Sequence, residues 1–160
     1  MPYTMKSEGL KELSEMLSKL EKNAASVASL ALYDGAGAMA DEIRRQAKNI
    51  RTAPFKYAAH GNTRLPSPEE KEIVENADVG IAKFNGSGTE VNTSVGYKNA
   101  GYATLAGKLK PVPLIVASVN SGTSFMKKQP FFRKAVSNGT KKATEAMIRK
   151  ADETIKEMTK

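Results

Sequence analysis

"PLIVASVNSGTSFMKKQPFFRKA", residues 113 to 135, passes from an apolar segment through a Gly-Thr turn and two lysines to a proline followed by two phenylalanines. How the apolar segment folds decides the architecture. Pro113 to Val119 is short, rich in β-branched side chains and followed by Asn-Ser-Gly, which fits a buried strand. The chain then turns at Ser121 to Thr123 and starts a helix at Pro130, whose ring presets the φ of a first helical turn. Adjacent helical residues point about 100° apart, so one of Phe131 and Phe132 is expected to pack into the core and the two cannot both face the same core surface fully. Phe125, Phe131 and Phe132, set among Lys127, Lys128, Pro130 and Arg133, have the composition of a protein contact: apolar anchors with a positive rim.

Downstream, Val136, Ala143, Met147, Ala151, Ile155 and Met158 recur as the apolar stripe of a C-terminal amphipathic helix, 130 to 158, which Asn138 and Gly139 weaken locally. Upstream, "VGIAKF" (79 to 84) and "EVNTSVGY" (90 to 97) read as antiparallel strands joined by "NGSG" (85 to 88), because Asn-Gly supplies the positive φ angles of a hairpin turn. Val91, Thr93 and Val95 share one face of the second strand. With the segment at 113 to 119 they make a small sheet spanning 79 to 119, interrupted by a loop at 98 to 111.

Further toward the N-terminus, "SPEEKEIVENA" opens a short helix with Ser67 as N-cap, Pro68 in the first turn and Glu70 closing a capping box. Residues 55 to 65 have no period and read as a loop. Residues 7 to 50 read as two helical runs, the first capped by Ser7 and striped by Leu10, Leu13, Met16, Leu17 and Leu20. Gly35 and Gly37 each cost a helix about 1 kcal/mol relative to Ala, so they mark a bend or a close helix contact. The expected fold is α+β, a single domain over 1 to 160: a small antiparallel sheet packed against a long N-terminal helix region and a C-terminal amphipathic helix.

Composition narrows the function. The longest apolar stretch, Val112 to Val119, is far short of the roughly 20 residues of a membrane helix, and the N-terminal residues alternate charge with apolar side chains instead of forming a secretion signal. A cytoplasmic protein without membrane contact is expected, and zero cysteines exclude disulfides and thiolate metal sites. Residues 111 to 160 hold ten Lys or Arg against four Asp or Glu, which is most of the net charge of +8. Lys134, Lys141, Lys142, Arg149 and Lys150 are therefore candidates for a DNA-facing basic surface.

Catalytic signatures do not emerge. His60 is the one histidine and has neither a second His nor a Cys to complete a metal site. "NSGTS" lacks the strand-to-helix context of a nucleophile elbow, and "YDGAGAMA" follows a helix where a phosphate loop needs a strand. Neither an enzyme nor a cofactor is expected.

Residues Leu114 to Val136, with the long basic helix after them, resemble the C-terminal signature of the tailed-bacteriophage neck family of head–tail joining and tail completion proteins. In that family a turn of Glu-Ser-Gly-Thr-Ser type leads to a Pro-Phe-aromatic-Arg-Pro-Ala helix start. The segment Ala31, Leu32, Gly35 and Ala36 and the strand end at Val95 and Gly96 extend the likeness over most of the chain. Asn120 stands where an acidic residue is common, and Lys134 replaces the usual proline. The resemblance implies a non-catalytic virion subunit, made in the host cytoplasm and assembled at the head–tail junction. There it would form a ring, expected to be a hexamer, between head-closure and tail-terminator proteins, around the path of DNA. The alternative is a basic nucleic-acid-binding module.

Overall fold

A computed structural model describes residues 8–54, 62–81, 85–87, 90–97 and 100–159. The chain is α+β, with two long helices packed beside short antiparallel ladders. The N-terminal region is one helix, α1 (Glu8–Ala47), where two runs were expected; the Ser7 cap lies outside the described residues. At 40 residues it is about 60 Å long. The last helix, α4 (Phe131–Met158), runs antiparallel to it: Glu42 lies against Gly139, and Gly35 against Met147.

That pairing explains Gly35 but not Gly37, where a Cβ would meet nothing within 4 Å. A Cβ on Gly35 would run into the Met147 side chain, so of the two meanings the sequence allowed, Gly35 marks close contact. Gly139, read as a weak point of α4, is a second such contact: a Cβ there would meet Met39 Sδ at 3.0 Å and Glu42 Cβ and Cγ at 3.2 Å. Ala31, Ala36 and Ala40 of α1 and Ala135, Ala143 and Ala146 of α4 are buried as well. The buried positions of α4 are thus Phe131, Ala135, Gly139, Ala143, Ala146 and Thr154, whereas Val136 and Ile155 of the expected stripe are exposed. Small side chains escape a hydrophobicity count yet set how near two helices can come. The expected stripe of α1 is likewise unpacked at Met16 and Leu17, which are exposed on the part of α1 that runs beyond the end of α4.

Residues 112 to 121 overturn the expected strand. Val112–Ser121 is a helix, α3, and its buried residues Val112, Ile115, Val116 and Val119 are spaced as one helical face. A short apolar run does not distinguish strand from helix by composition; what favours the helix is a proline in its first turn and the spacing of its buried residues.

The short helix α2 (Pro68–Asn76) has the anticipated capping box, with Ser67 Oγ accepting from the Glu70 N–H and the Glu70 carboxylate accepting from the Ser67 N–H. The expected hairpin exists as two ladders. Strand β1 (Gly80–Ile81) pairs with β4 (Val95–Gly96), and β2 (Asn85–Ser87) pairs with β3 (Glu90–Asn92). Asn85 and Gly86 are ladder residues, since Ser87 pairs with Glu90 and the reversal falls after Ser87. The expected loop at 98 to 111 instead contains a second hairpin, β5 (Tyr102–Leu105) and β6 (Lys108–Pro111). Its two-residue turn has φ of 51° at Ala106 and 73° at Gly107, the pair of positive angles of a type I′ turn. Alanine is unusual there, which hid the turn from a search for Asn-Gly or Asp-Gly.

The core gathers at one end of the helix pair. Ile43 and Ala47 from the end of α1, Ile50 just after it, and Phe131 and Ala135 from the start of α4 pack with Val74, Val79, Tyr97, Leu105, Met126 and the buried face of α3.

Candidate docking surface

The connection from α3 to α4 is tightly folded. Gly122 ends α3 with φ of 77°, and a Cβ on it would meet Lys128 N and Met126 O at 2.9 Å, so glycine is required twice over. Thr123 then organises the turn: its Oγ1 accepts from the N–H groups of Phe125 at 3.2 Å and Met126 at 3.0 Å, and its own N–H donates to Met126 O at 2.9 Å. Met126 is buried, and Phe125 is turned outward with 69% of its surface exposed.

A second segment pins this turn. Arg64 N–H donates to Phe125 O at 2.9 Å, and Lys127 N–H donates to Arg64 O at 2.7 Å, forming an isolated parallel bridge. The Arg64 guanidinium holds both Glu70 carboxylate oxygens at 2.7 Å, a fork geometry that fixes direction as well as distance. Burial pushes the Glu70 carboxyl up, but Arg64 and the Ser67 N–H outweigh it and leave the group below the usual carboxylate range. The helix cap, the ion pair and the Phe125 turn are therefore one connected unit.

Beside this unit lies a groove of about 200 Å³. Leu105, Ile115 and Met126 are buried beneath it, while Leu114 of α3 and Phe125 stand at its edge, Leu114 being 59% exposed. Lys110 also lines it. On the outer face of the second hairpin Tyr102 and Leu109 are exposed too.

The expected contact residues divide. Phe125, Lys127 and Lys128 are exposed on the turn, and Arg133 is exposed on the first turn of α4. Phe131, only 3% exposed, belongs to the chain's own core, which removes it from the expected contact surface. Phe132 is half-buried and stacked on Phe131 at 4.9 Å between ring centroids, and both rings meet Tyr97 edge-on, at 6.4 and 5.7 Å. One ring is thus buried in the core and the other only partly so, as the angular offset requires, while both touch Tyr97. Pro130, half-buried, precedes the first helical residue of α4.

The basic candidates lie along α4, with Lys134, Lys141, Lys142 and Arg149 exposed and Lys150 half-buried. Several have acidic neighbours: Lys141 Nζ is 4.0 Å from Glu145, and Arg149 shares a surface groove with Asp152 and Glu153. Lys142 Nζ lies 3.7 Å from Glu42, a carboxylate 3% exposed between α1 and α4. Arg45 at 2.7 Å does most to hold Glu42 below its ordinary range, with Gln46 at 2.8 Å assisting against the cost of burial. His60 lies outside the described residues, and among those described no cluster of His, Cys, Asp or Glu could hold a metal ion.

Sequence reasoning missed Leu114, Lys110 and Arg64. Had 112 to 121 been read as a helix, Leu114 would have fallen opposite the buried stripe and stood out as an exposed large apolar residue. Arg64 carries no local signal, since its partners are a carboxylate in α2 and a turn sixty residues away in the chain.

No family model matches the chain, and neither a curated protein nor a solved structure does. The functional reading therefore rests on the surface itself and on the sequence resemblance.

Proposed function

We propose that the chain is a structural subunit of a tailed-phage head–tail junction, joining copies of itself in a ring, a hexamer in the assembled particle, between head-closure and tail-terminator proteins. The observation that carries this reading is the exposed pair Leu114 and Phe125, held on a framework of backbone hydrogen bonds and a forked ion pair. Large apolar side chains fixed at a surface groove are characteristic of protein contacts. The turn that presents Phe125 is also the segment most like the neck family's signature.

Rings visible by negative-stain microscopy, or a hexameric mass by light scattering in the presence of candidate head-closure and tail-terminator proteins, are the expected result. Phe125→Ala and Arg133→Ala should leave the monomer folded and reduce assembly, and intact rings in both variants would refute the reading. Genes for a portal and a tail tube protein flanking this one would support it independently.

The second reading, a nucleic-acid-binding module, is favoured by the exposure of Lys134, Lys141 and Arg149 on α4. It requires a gel shift that weakens steeply with salt. A shift that is absent or independent of salt excludes it.

A further inference from the structure

The groove beside Phe125 has a charge pattern as well as an apolar floor. Lys108 and Lys110 alternate along β6 and pair across the hairpin with Leu105 and Ala103. Residues paired across a ladder share a face, so both lysines lie on the side of the hairpin that carries Leu105 of the groove floor, and Lys110 itself lines the groove. Lys127 follows Phe125 by two residues in the bridged segment and is exposed. The carboxylate inside the groove does not offset these cations, since Glu70 is held by Arg64 and by the Ser67 N–H. Glu69, at the hairpin tip, accepts from the Ala106 N–H at 3.4 Å.

We propose that this groove takes an acidic segment of a partner protein, which inserts one large aliphatic or aromatic side chain between Leu114 and Phe125 while flanking carboxylates meet Lys108, Lys110 and Lys127. The inference rests on the reading of the Phe125 surface as a contact surface and adds the chemistry of what it contacts. Nucleic acid would satisfy the lysines but leave Leu114, Phe125 and the floor formed by Leu105, Ile115 and Met126 without an apolar partner. A neutral apolar segment would fill the groove but leave the lysine rim unmatched. An acidic segment with one apolar anchor meets both requirements, with the anchor supplying affinity and the charges supplying register and approach rate.

The test uses the full chain and fluorescein-labelled peptides read by anisotropy: one with a central Leu-Phe flanked by Asp and Glu, one with Ser-Ser in place of Leu-Phe, and one with Lys flanks. A duplex DNA oligonucleotide serves as competitor. The acidic Leu-Phe peptide should bind at least about tenfold more tightly than either of the others. Leu114→Glu should weaken that binding by about tenfold or more. Lys108→Glu with Lys110→Glu should weaken it several-fold and flatten its salt dependence, and Lys134→Glu should leave it unchanged. All these positions are exposed or on the rim, and circular dichroism checks that each variant is folded. Equal binding of the Ser-Ser peptide, no binding of the acidic Leu-Phe peptide, indifference to the Leu114 and lysine changes, or displacement by the duplex at equal concentration overturns the proposal. Light scattering with candidate head-closure and tail-terminator proteins added separates the two readings: rings without peptide binding overturn this inference alone, and peptide binding without rings overturns the ring reading alone.

Discussion

Tyr97 and Asn120 show how single atoms set the local balance. Tyr97 is buried against Phe131 and Phe132, yet its hydroxyl has no hydrogen-bond partner among the described residues. Burial pushes its pKa up to about 12. An unsatisfied buried hydroxyl is unfavourable, so Tyr97→Phe keeps the ring contacts and should raise stability by about 1 kcal/mol in urea titrations. The sign of the pH effect follows from the raised pKa: the native state resists ionisation, so the wild type loses stability as pH rises above about 10, and the Phe variant should lose less. A lowered urea midpoint at neutral pH would show that the hydroxyl has a partner after all. Asn120 Oδ1 accepts from the Phe132 N–H at 3.1 Å and so caps α4 from the end of α3. Asn120→Ala should cost about 0.5–2 kcal/mol. Asn120→Asp preserves the acceptor and places negative charge at the positive end of the helix, and it should match or exceed the wild type in thermal unfolding.

The elements of this fold are held by contacts of different kinds. The pairing of α1 with α4 depends on small residues, and Gly139 seats directly on Glu42 and Met39. Gly139→Leu has better helix propensity but no space for its side chain, so packing opposes propensity. Overpacking of this kind typically costs about 1–3 kcal/mol, against the roughly 1 kcal/mol a helix gains on losing glycine, and a net loss in urea midpoint is expected. A more stable variant would mean that the two helices separate without cost. Within α2, the capping box was legible because both partners sit three residues apart in the sequence. The type I′ hairpin at 102 to 111 was not, because Ala106 adopts a positive φ that its identity does not announce. For α3 the sequence contained the helical spacing, but length and β-branching pointed to a strand, and the packing of its one buried face beside α2 and the core decided the matter.

Across the whole molecule, two buried carboxylates link stability to pH. Glu42 bridges α1 to α4 through Lys142, and Glu70 joins α2 to the Phe125 turn through Arg64; both are held below their ordinary range in the folded state. A depressed folded pKa contributes stability that is present above the unfolded value and lost as pH falls through the folded one. The urea midpoint should therefore be level from pH 7 to about 5 and fall below about pH 4.3, the ordinary Glu value. A variant carrying Glu42→Gln and Glu70→Gln should start lower at neutral pH and decline less steeply in acid. An unchanged acid slope would assign the decline to other groups.

The α+β class, the amphipathic C-terminal helix, the capped α2 and the concentration of positive charge after residue 110 were legible from the residues alone, because these depend on local periodicity, caps and composition. The sequence also carried the motif that places Phe125 on a turn next to lysines. Folding in three dimensions was needed to bring Phe131 and Phe132 onto Tyr97, to make Gly35 and Gly139 contact points, and to let Arg64 fix the turn beside Leu114. Each of those depends on residues far apart in the chain meeting in space, and local pattern contains no record of such meetings.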